Sequence, residues 1–104
     1  MIPFLKNILN GGSEVDLKEL MLKGAQIIDV RSKEEFQAGH IHNSVNIPLQ
    51  NLTHNLSKIK KGKPVITCCA SGIRSASAKI ILKSSDFTEV YDGGGWMSLK
   101  DKIS

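Results

Sequence analysis

Short apolar runs that alternate with helix-start signals constrain the fold of this chain more than any other sequence feature. The runs are rich in β-branched residues and have the length of buried strands. They predict four strands, at residues 26–30, 44–47, 65–68 and 87–91. Because a helical pattern follows each of them, the sequence predicts an α/β domain with a largely parallel central sheet.

The helices are indicated by capping residues and by apolar spacing. Asp16 with Glu19 and Ser32 with Glu35 have the spacing of a capping box. The patterns predict five helices: from Asp16 to Gly24, from Ser32 to Gly39, after Pro48 with an apolar stripe of Leu49, Leu52, Leu56 and Ile59, over residues 75–83, and after a turn at 93–95 with Trp96 and Leu99 facing inward.

Length and composition indicate one globular domain. The chain has 104 residues, of which 40% are hydrophobic and 23% charged, so disorder is disfavoured. We expect a single domain over 1–104, in which residues 1–12 form an N-terminal extension, either a short helix or a frayed arm. The apolar runs are too short for a membrane span, and the first residues lack the pattern of a signal peptide. These features predict a cytoplasmic protein that does not bind membranes.

The segment between the third strand and the fourth helix carries the candidate chemistry. It reads Cys69-Ala70-Ser71-Gly72-Ile73-Arg74-Ser75. Its small residues allow successive amide N–H groups to converge on one anion, and the helix that follows adds the positive end of its dipole. Arg74 adds a permanent charge. A thiol at the mouth of such a loop has a depressed pKa, so Cys69 is the predicted nucleophile and needs no histidine base. The adjacent Cys68, inside the strand, is predicted to be a buried hydrophobic residue.

Three motifs stand in order along this chain. The first is Ile28-Asp29-Val30-Arg31, followed by Glu35-Phe36, Gly39-His40-Ile41 and Asn46-Ile47-Pro48. The second is the loop from Cys69, with the pattern Cys-x-x-Gly-x-Arg-Ser, and the third is Val90-Tyr91-Asp92-Gly93-Gly94-Gly95-Trp96. Together they resemble the rhodanese-like sulfurtransferases. The resemblance covers most of the chain and implies a rhodanese-like fold, a parallel sheet with helices on both faces.

The resemblance also implies a reaction. The Cys69 thiolate would take the outer sulfur of a donor such as thiosulfate and become a persulfide, and a thiol or cyanide would then accept that sulfur in a ping-pong cycle. Ala70, Ser71, Gly72, Ile73, Arg74 and Ser75 would bind the anionic donor and the persulfide. No metal or organic cofactor is expected. A protein could also serve as sulfur donor or acceptor.

Loop length and loop composition bear on the substrate. Phosphatases and arsenate reductases of the same fold resemble a Cys-x5-Arg pattern, whereas four residues separate Cys69 from Arg74 here. The shorter loop suits a single sulfur atom better than a phosphate. Ala70 and Ile73 stand where bulkier, charged or polar residues are common in the family, which leaves a different persulfide or a protein open as the donor. The alternative function is a carrier or interaction module that passes persulfide sulfur between proteins without small-molecule turnover.

Other clusters of functional residue types are assigned structural roles. His40 and His42 do not combine with the cysteines at zinc-ligand spacing, so no metal site is expected, and His40 is predicted to pack behind the site. Arg31 is predicted to pair with Glu34 or Glu35. The basic turn of Lys58, Lys60, Lys61 and Lys63 lacks interleaved aromatic residues, so no nucleic acid is expected to bind.

The charge of the chain is uneven. Its net charge is +4, and no Asp or Glu lies between Phe36 and Ser85, the interval that holds the reactive loop. This distribution predicts a positive field around an anionic sulfur site.

Overall fold

A computed structural model describes residues 15–104, so the expected extension at 1–12 lies outside the described residues. Within the described part, four parallel strands form one sheet in the order β2-β1-β3-β4. The strands are β1 Gln26–Asp29, β2 Val45–Asn46, β3 Val65–Cys69 and β4 Val90–Gly95. The predicted parallel α/β architecture is confirmed.

The α-helices begin and end close to their predicted caps. They are α1 Leu17–Leu22, α2 Lys33–Ala38, α3 Ile73–Ser84 and α4 Trp96–Ile103. The Asp16 side chain accepts the Glu19 N–H at the start of α1, and α2 opens with a complete capping box of Ser32 and Glu35. None of these helices is long and apolar enough to cross a membrane.

Helices cover both faces of the sheet, as the family resemblance implies. On one face, Ala78 and Leu82 of α3 pack with Cys69 in the larger apolar cluster. On the other face, Leu20 of α1 and Leu99 of α4 pack with Cys68. Adjacent residues of a strand point to opposite faces, so the two cysteines lie in two different cores.

The predicted helix after Pro48 is wrong in type. The structure has two 3₁₀ helices there, Leu49–His54 and Leu56–Lys58, separated by Asn55 in a non-helical conformation (φ −130°, ψ 25°). The apolar stripe faces the core as expected: Leu52 and Ile59 are buried, and Leu49 and Leu56 are partly buried against the same cluster. The Asn, Thr, Ser and His side chains between the apolar positions are weak α-helix formers, which disfavours a continuous α-helix. Packing against the core determines which residues face inward, but it does not determine the type of helix.

The glycines predicted as a turn instead end strand β4, which begins at Val90 rather than at residue 87. A methyl group on Gly93 would lie 2.8 Å from the Thr67 carbonyl oxygen and 2.9 Å from Leu99 Cδ2. The glycine is therefore required because β4 and its neighbours approach closely, not because the chain turns. Helix α3 also begins two residues earlier than predicted, at Ile73.

Candidate active site

The candidate reactive loop spans the three residues between β3 and α3. Cys69 is the last residue of β3, at the carboxyl edge of the sheet where parallel α/β domains bind ligands. Gly72 caps α3 with a left-handed conformation (φ 109°) that residues with a side chain rarely adopt. A methyl group on Gly95 would lie 2.9 Å from the Ala70 carbonyl oxygen, so the loop rests directly on the end of β4.

The Cys69 sulfur accepts hydrogen bonds from backbone N–H groups of the loop and of the first turn of α3. Its Sγ accepts the N–H of Gly72 at 2.9 Å and the N–H of Ser75 at 3.3 Å. Cys69 itself is 1% exposed, whereas Ala70, Ser71 and Ile73 around it are exposed, and Ile73 is 78% exposed. The sulfur is thus held inside a loop whose outer residues face solvent.

The environment of Cys69 favours the thiolate. Burial raises the pKa of the Cys69 thiol, but hydrogen bonds from Ser75 and from the amides of Gly72 and Ser71 outweigh burial, and the net pKa is lowered. A negatively charged sulfur at the start of a twelve-residue helix is further favoured by the helix dipole. These contacts lower the pKa of Cys69, and its role as nucleophile stays a prediction.

Cys68 has the opposite environment. Burial, followed by the nearby Asp29 carboxylate, raises the pKa of the Cys68 thiol to about 12. Cys68 is fully buried in the core formed with α1 and α4. It therefore remains a neutral thiol across the physiological range, in agreement with its predicted role as a small hydrophobic residue.

The contrast between the two thiols predicts selective alkylation. Iodoacetamide should modify one cysteine per folded chain, at Cys69, and the rate should stay high below the pKa of about 8.5 of a free thiol and decline as pH falls through the lowered value. Peptide mapping after alkylation at several pH values measures both site and profile. A Cys68→Ala variant should give the same profile. Equal labelling of both cysteines, or a midpoint at the free-thiol value, would contradict the assignment.

Arg74 makes a bidentate ion pair with Glu35 of α2. Its two terminal nitrogens donate to the two carboxylate oxygens at 2.7 and 3.0 Å, and both side chains are 37% exposed. Hydrogen bonds from Arg74 and then from the Ser32 amide lower the pKa of Glu35 to about 2. The predicted loop cation therefore carries its own counterion, supplied by a residue 39 positions away.

Ser75 links the loop to strand β4. Its hydroxyl lies 2.6 Å from Asp92 Oδ1 and 3.1 Å from the Gly72 carbonyl oxygen, and the carboxylate is the closer and stronger acceptor. The same Asp92 oxygen accepts the Gly94 N–H at 2.9 Å. Asp92 thereby fixes the first turn of α3, including the Ser75 amide that donates to Cys69. The sequence carries no local signal for this contact, since Ser75 and Asp92 lie 17 residues apart.

The partner predicted for Arg31 is wrong. Arg31 pairs with Asp29, two residues earlier, through contacts of 2.7 to 3.1 Å, and reaches Glu35 only at its backbone carbonyl. Both members of the pair are buried, and the Arg31 guanidinium lies 4.7 Å from the centre of the Trp96 ring. The structural role predicted for Arg31 agrees with this burial, while Arg31 makes no hydrogen bond to the carboxylates of Glu34 and Glu35.

The predicted positive field is also corrected. All acidic residues lie far from the loop in sequence. In the folded chain, however, Glu35 forms an ion pair with Arg74, and Asp92 accepts a hydrogen bond from Ser75. The strand order makes this possible, because β1 and β4 flank β3 on either side and deliver residues distant in sequence to the same edge. The positive character of the site therefore comes mainly from N–H groups.

The prediction that His40 packs behind the site is corrected. His40 is exposed, its ring stacks on that of Phe36 with centroids 3.7 Å apart, and it bonds to the Phe36 carbonyl, so it stabilises the end of α2. Among residues 15–104, no three His, Cys, Asp or Glu side chains form a group that could hold a metal. In the basic turn, Lys61 donates to the Ser85 carbonyl and lies over the Phe87 ring. The expected absence of a metal and of nucleic acid binding remains a prediction.

The site joins two features: a parallel α/β sheet, and a thiol that accepts hydrogen bonds from backbone N–H groups where a strand leads into a helix. Together they define a class of protein in which a cysteine at the sheet edge can act as a nucleophile. Comparison with known sequences narrows that class. The chain belongs to the rhodanese-like domain family, whose profile matches residues 13–102. The family resemblance of the three motifs is thereby confirmed.

Relatives and solved structures agree with this membership. The uncharacterised protein YqhL of Bacillus subtilis is 40% identical over 80 residues, which cover 76% of this chain and 64% of YqhL. Thiosulfate sulfurtransferase GlpE of Shewanella oneidensis is 35% identical over 74 residues, covering 69% of this chain and 73% of GlpE. A rhodanese-related protein from Thermoplasma volcanium has a TM-score of 0.69 at 31% identity, covering 84% of this chain and 85% of that one.

Proposed function

We propose that this protein is a sulfurtransferase that moves a sulfane sulfur from thiosulfate or a persulfide donor to a thiol or cyanide acceptor, with Cys69 as the carrier. The observation that carries the proposal is the position of Cys69 Sγ, which accepts two amide N–H groups at the start of α3. Membership of the rhodanese-like family supports it, as does the similarity to a protein named thiosulfate sulfurtransferase.

The first half of the proposed cycle loads the sulfur. The Cys69 thiolate attacks the outer sulfur of the donor, a new S–S bond forms, and the donor's own S–S bond breaks with its electron pair leaving on the donor. With thiosulfate, the leaving group is sulfite and the product is an anionic Cys69 persulfide. The loop amides stabilise this charge because they are already oriented and need not reorganise during the reaction.

The second half of the proposed cycle returns Cys69 to the free thiolate. An acceptor thiolate or cyanide attacks the terminal sulfur of the persulfide, and the electron pair of the Cys69 S–S bond returns to the Cys69 sulfur. Because the sulfur travels on the cysteine itself, the proposed reaction uses no metal or organic cofactor. Such chemistry needs reduced thiols, which suits the cytoplasm, the compartment we propose.

A double displacement predicts a defined burst. Mixing the protein with excess thiosulfate and no acceptor should release about one sulfite per chain and then stop, and cyanide added afterwards should restart release. Sulfite can be followed by its reaction with a chromogenic disulfide in a quenched sample. Sulfite release that begins only when acceptor is present would contradict the double displacement.

The exposed Ile73 favours a second candidate, a carrier that relays sulfur between proteins. An apolar side chain that is 78% exposed beside the reactive sulfur offers a contact for a protein surface rather than for a small anion. A carrier would give the burst but would turn over slowly with cyanide or small thiols. High steady-state turnover with small molecules alone would eliminate this candidate.

A further inference from the structure

The ion pair between Arg74 and Glu35 leaves the reactive loop without a net positive side chain. Arg74 is the one charged residue of the segment 69–75, and both of its terminal nitrogens donate to Glu35. We propose that Glu35 is a specificity-determining residue, which neutralises Arg74 and so makes the site prefer singly charged or neutral sulfane donors over the thiosulfate dianion. This inference rests on the proposed sulfur transfer and names its substrate class.

Further contacts and the pKa values of both groups stabilise the ion pair between Arg74 and Glu35. Glu35 is held at the third position of α2, where Oε1 also accepts the Ser32 amide at 2.9 Å. The pKa of Glu35, lowered to about 2, and the raised pKa of Arg74 keep both groups ionised wherever the Cys69 thiolate exists. A donor that approaches the loop therefore meets a dipole whose field falls off faster than that of a lone cation.

Other charges near the loop do not replace the lost cation. Arg31 is paired with the buried Asp29, and Asp92 places a carboxylate against Ser75. The next basic residue along α3, Lys79, lies more than one helical turn beyond Arg74. The amides around Cys69 compensate one negative charge, that of the sulfur being transferred. None of these side chains offers a free positive charge to compensate a second negative charge on the donor.

Two small donors separate the effect of charge from the effect of chemistry. Thiosulfate carries two negative charges and leaves as sulfite, whereas methanethiosulfonate carries one and leaves as methanesulfinate. In both reactions the Cys69 thiolate forms an S–S bond to the outer sulfur, the donor's S–S bond breaks, and total charge is conserved. Because the leaving groups also differ, the change in the ratio of their kcat/KM values between variants, rather than the ratio in one protein, reports how well the site accepts the additional charge.

A Glu35→Gln variant tests the proposal. Glutamine retains the capping box of α2 and removes only the negative charge. We expect the kcat/KM ratio of thiosulfate to methanethiosulfonate to rise about tenfold, as one uncompensated cation near the site would produce. Glu34→Gln, at an exposed neighbouring position of the same helix, changes net charge equally and should leave the ratio unchanged. A merely structural role for Glu35 would lower both rates together.

A second variant keeps the test decisive if Glu35→Gln folds poorly. Arg74→Gln leaves the Glu35 charge beside the loop, so the same ratio should fall below that of the natural protein. An unchanged ratio in both variants would overturn the proposal. If neither donor transfers sulfur to the natural protein, the sulfurtransferase function itself fails, which is a separate outcome.

Discussion

Replacing Cys69 by serine should reduce sulfur transfer by a factor on the order of a thousand or more. The hydroxyl that replaces the thiol has a far higher pKa and cannot carry a sulfane sulfur as a stable intermediate, so the proposed cycle loses both its nucleophile and its carrier. The remaining loop amides could bind the donor but would have nothing to transfer. Steady-state rates with thiosulfate and cyanide, measured for both proteins, give the factor.

Cys68→Ala is the matched control for that substitution. Cys68 lies on the opposite face of β3 and takes no part in the loop, so its variant should keep a rate close to that of the natural protein. Thermal unfolding of each variant separates loss of activity from loss of fold. Retained activity in folded Cys69→Ser, or loss of activity in folded Cys68→Ala, would contradict the assignment of the nucleophile.

The largest stability effect is expected at the buried ion pair. Asp29 is fully buried and Arg31 is 4% exposed, and their ion pair measures 2.7 Å. Asp29→Asn would leave the Arg31 charge buried without a counterion. We expect the free energy of unfolding to fall by about 3–5 kcal/mol. Urea unfolding at neutral pH measures the change.

Comparison with the half-exposed pair makes this prediction specific. Glu35→Gln breaks an ion pair of similar geometry but greater solvent exposure, so it should cost less than about 1 kcal/mol. The double variant Asp29→Asn/Arg31→Met should recover part of the stability lost in Asp29→Asn, since it removes the stranded charge. A cost for Asp29→Asn no larger than that for Glu35→Gln would show that burial does not control the energetics of these pairs.

The buried pair also supports the reactive site. Arg31 donates to the carbonyl oxygens of Glu35 and Gly39, the latter at the end of α2. It therefore anchors the helix whose Glu35 side chain holds Arg74. A sequence of contacts thus runs from the core of β1 to the loop that contains Cys69.

Local sequence signals predicted most of the fold because the features they report are local. The N-cap of Asp16 and the capping box of Ser32 located α1 and α2, since each is formed within four residues. The small residues between a β-branched strand and a helix likewise located the loop that follows Cys69. The two 3₁₀ helices were missed because an apolar stripe records which residues are buried, and both helix types can bury the same residues.

The electrostatics of the site could not be predicted because they depend on long-range contacts. Arg74 meets Glu35 and Ser75 meets Asp92 only after β1 and β4 take their places beside β3. The local contacts of Glu35, at the third position of a capping box, are identical whether or not an arginine approaches from elsewhere. The sequence therefore misjudged the charge around Cys69, whose role as nucleophile stays a prediction.

The mass of the intact protein after incubation with a sulfane donor tests the central claim most directly. In the absence of acceptor, we predict that the chain gains the mass of one sulfur atom, that peptide mapping locates it on Cys69, and that cyanide removes it. A chain whose mass is unchanged after exposure to thiosulfate, methanethiosulfonate and an alkyl persulfide, or whose added sulfur lies on Cys68, would contradict the account.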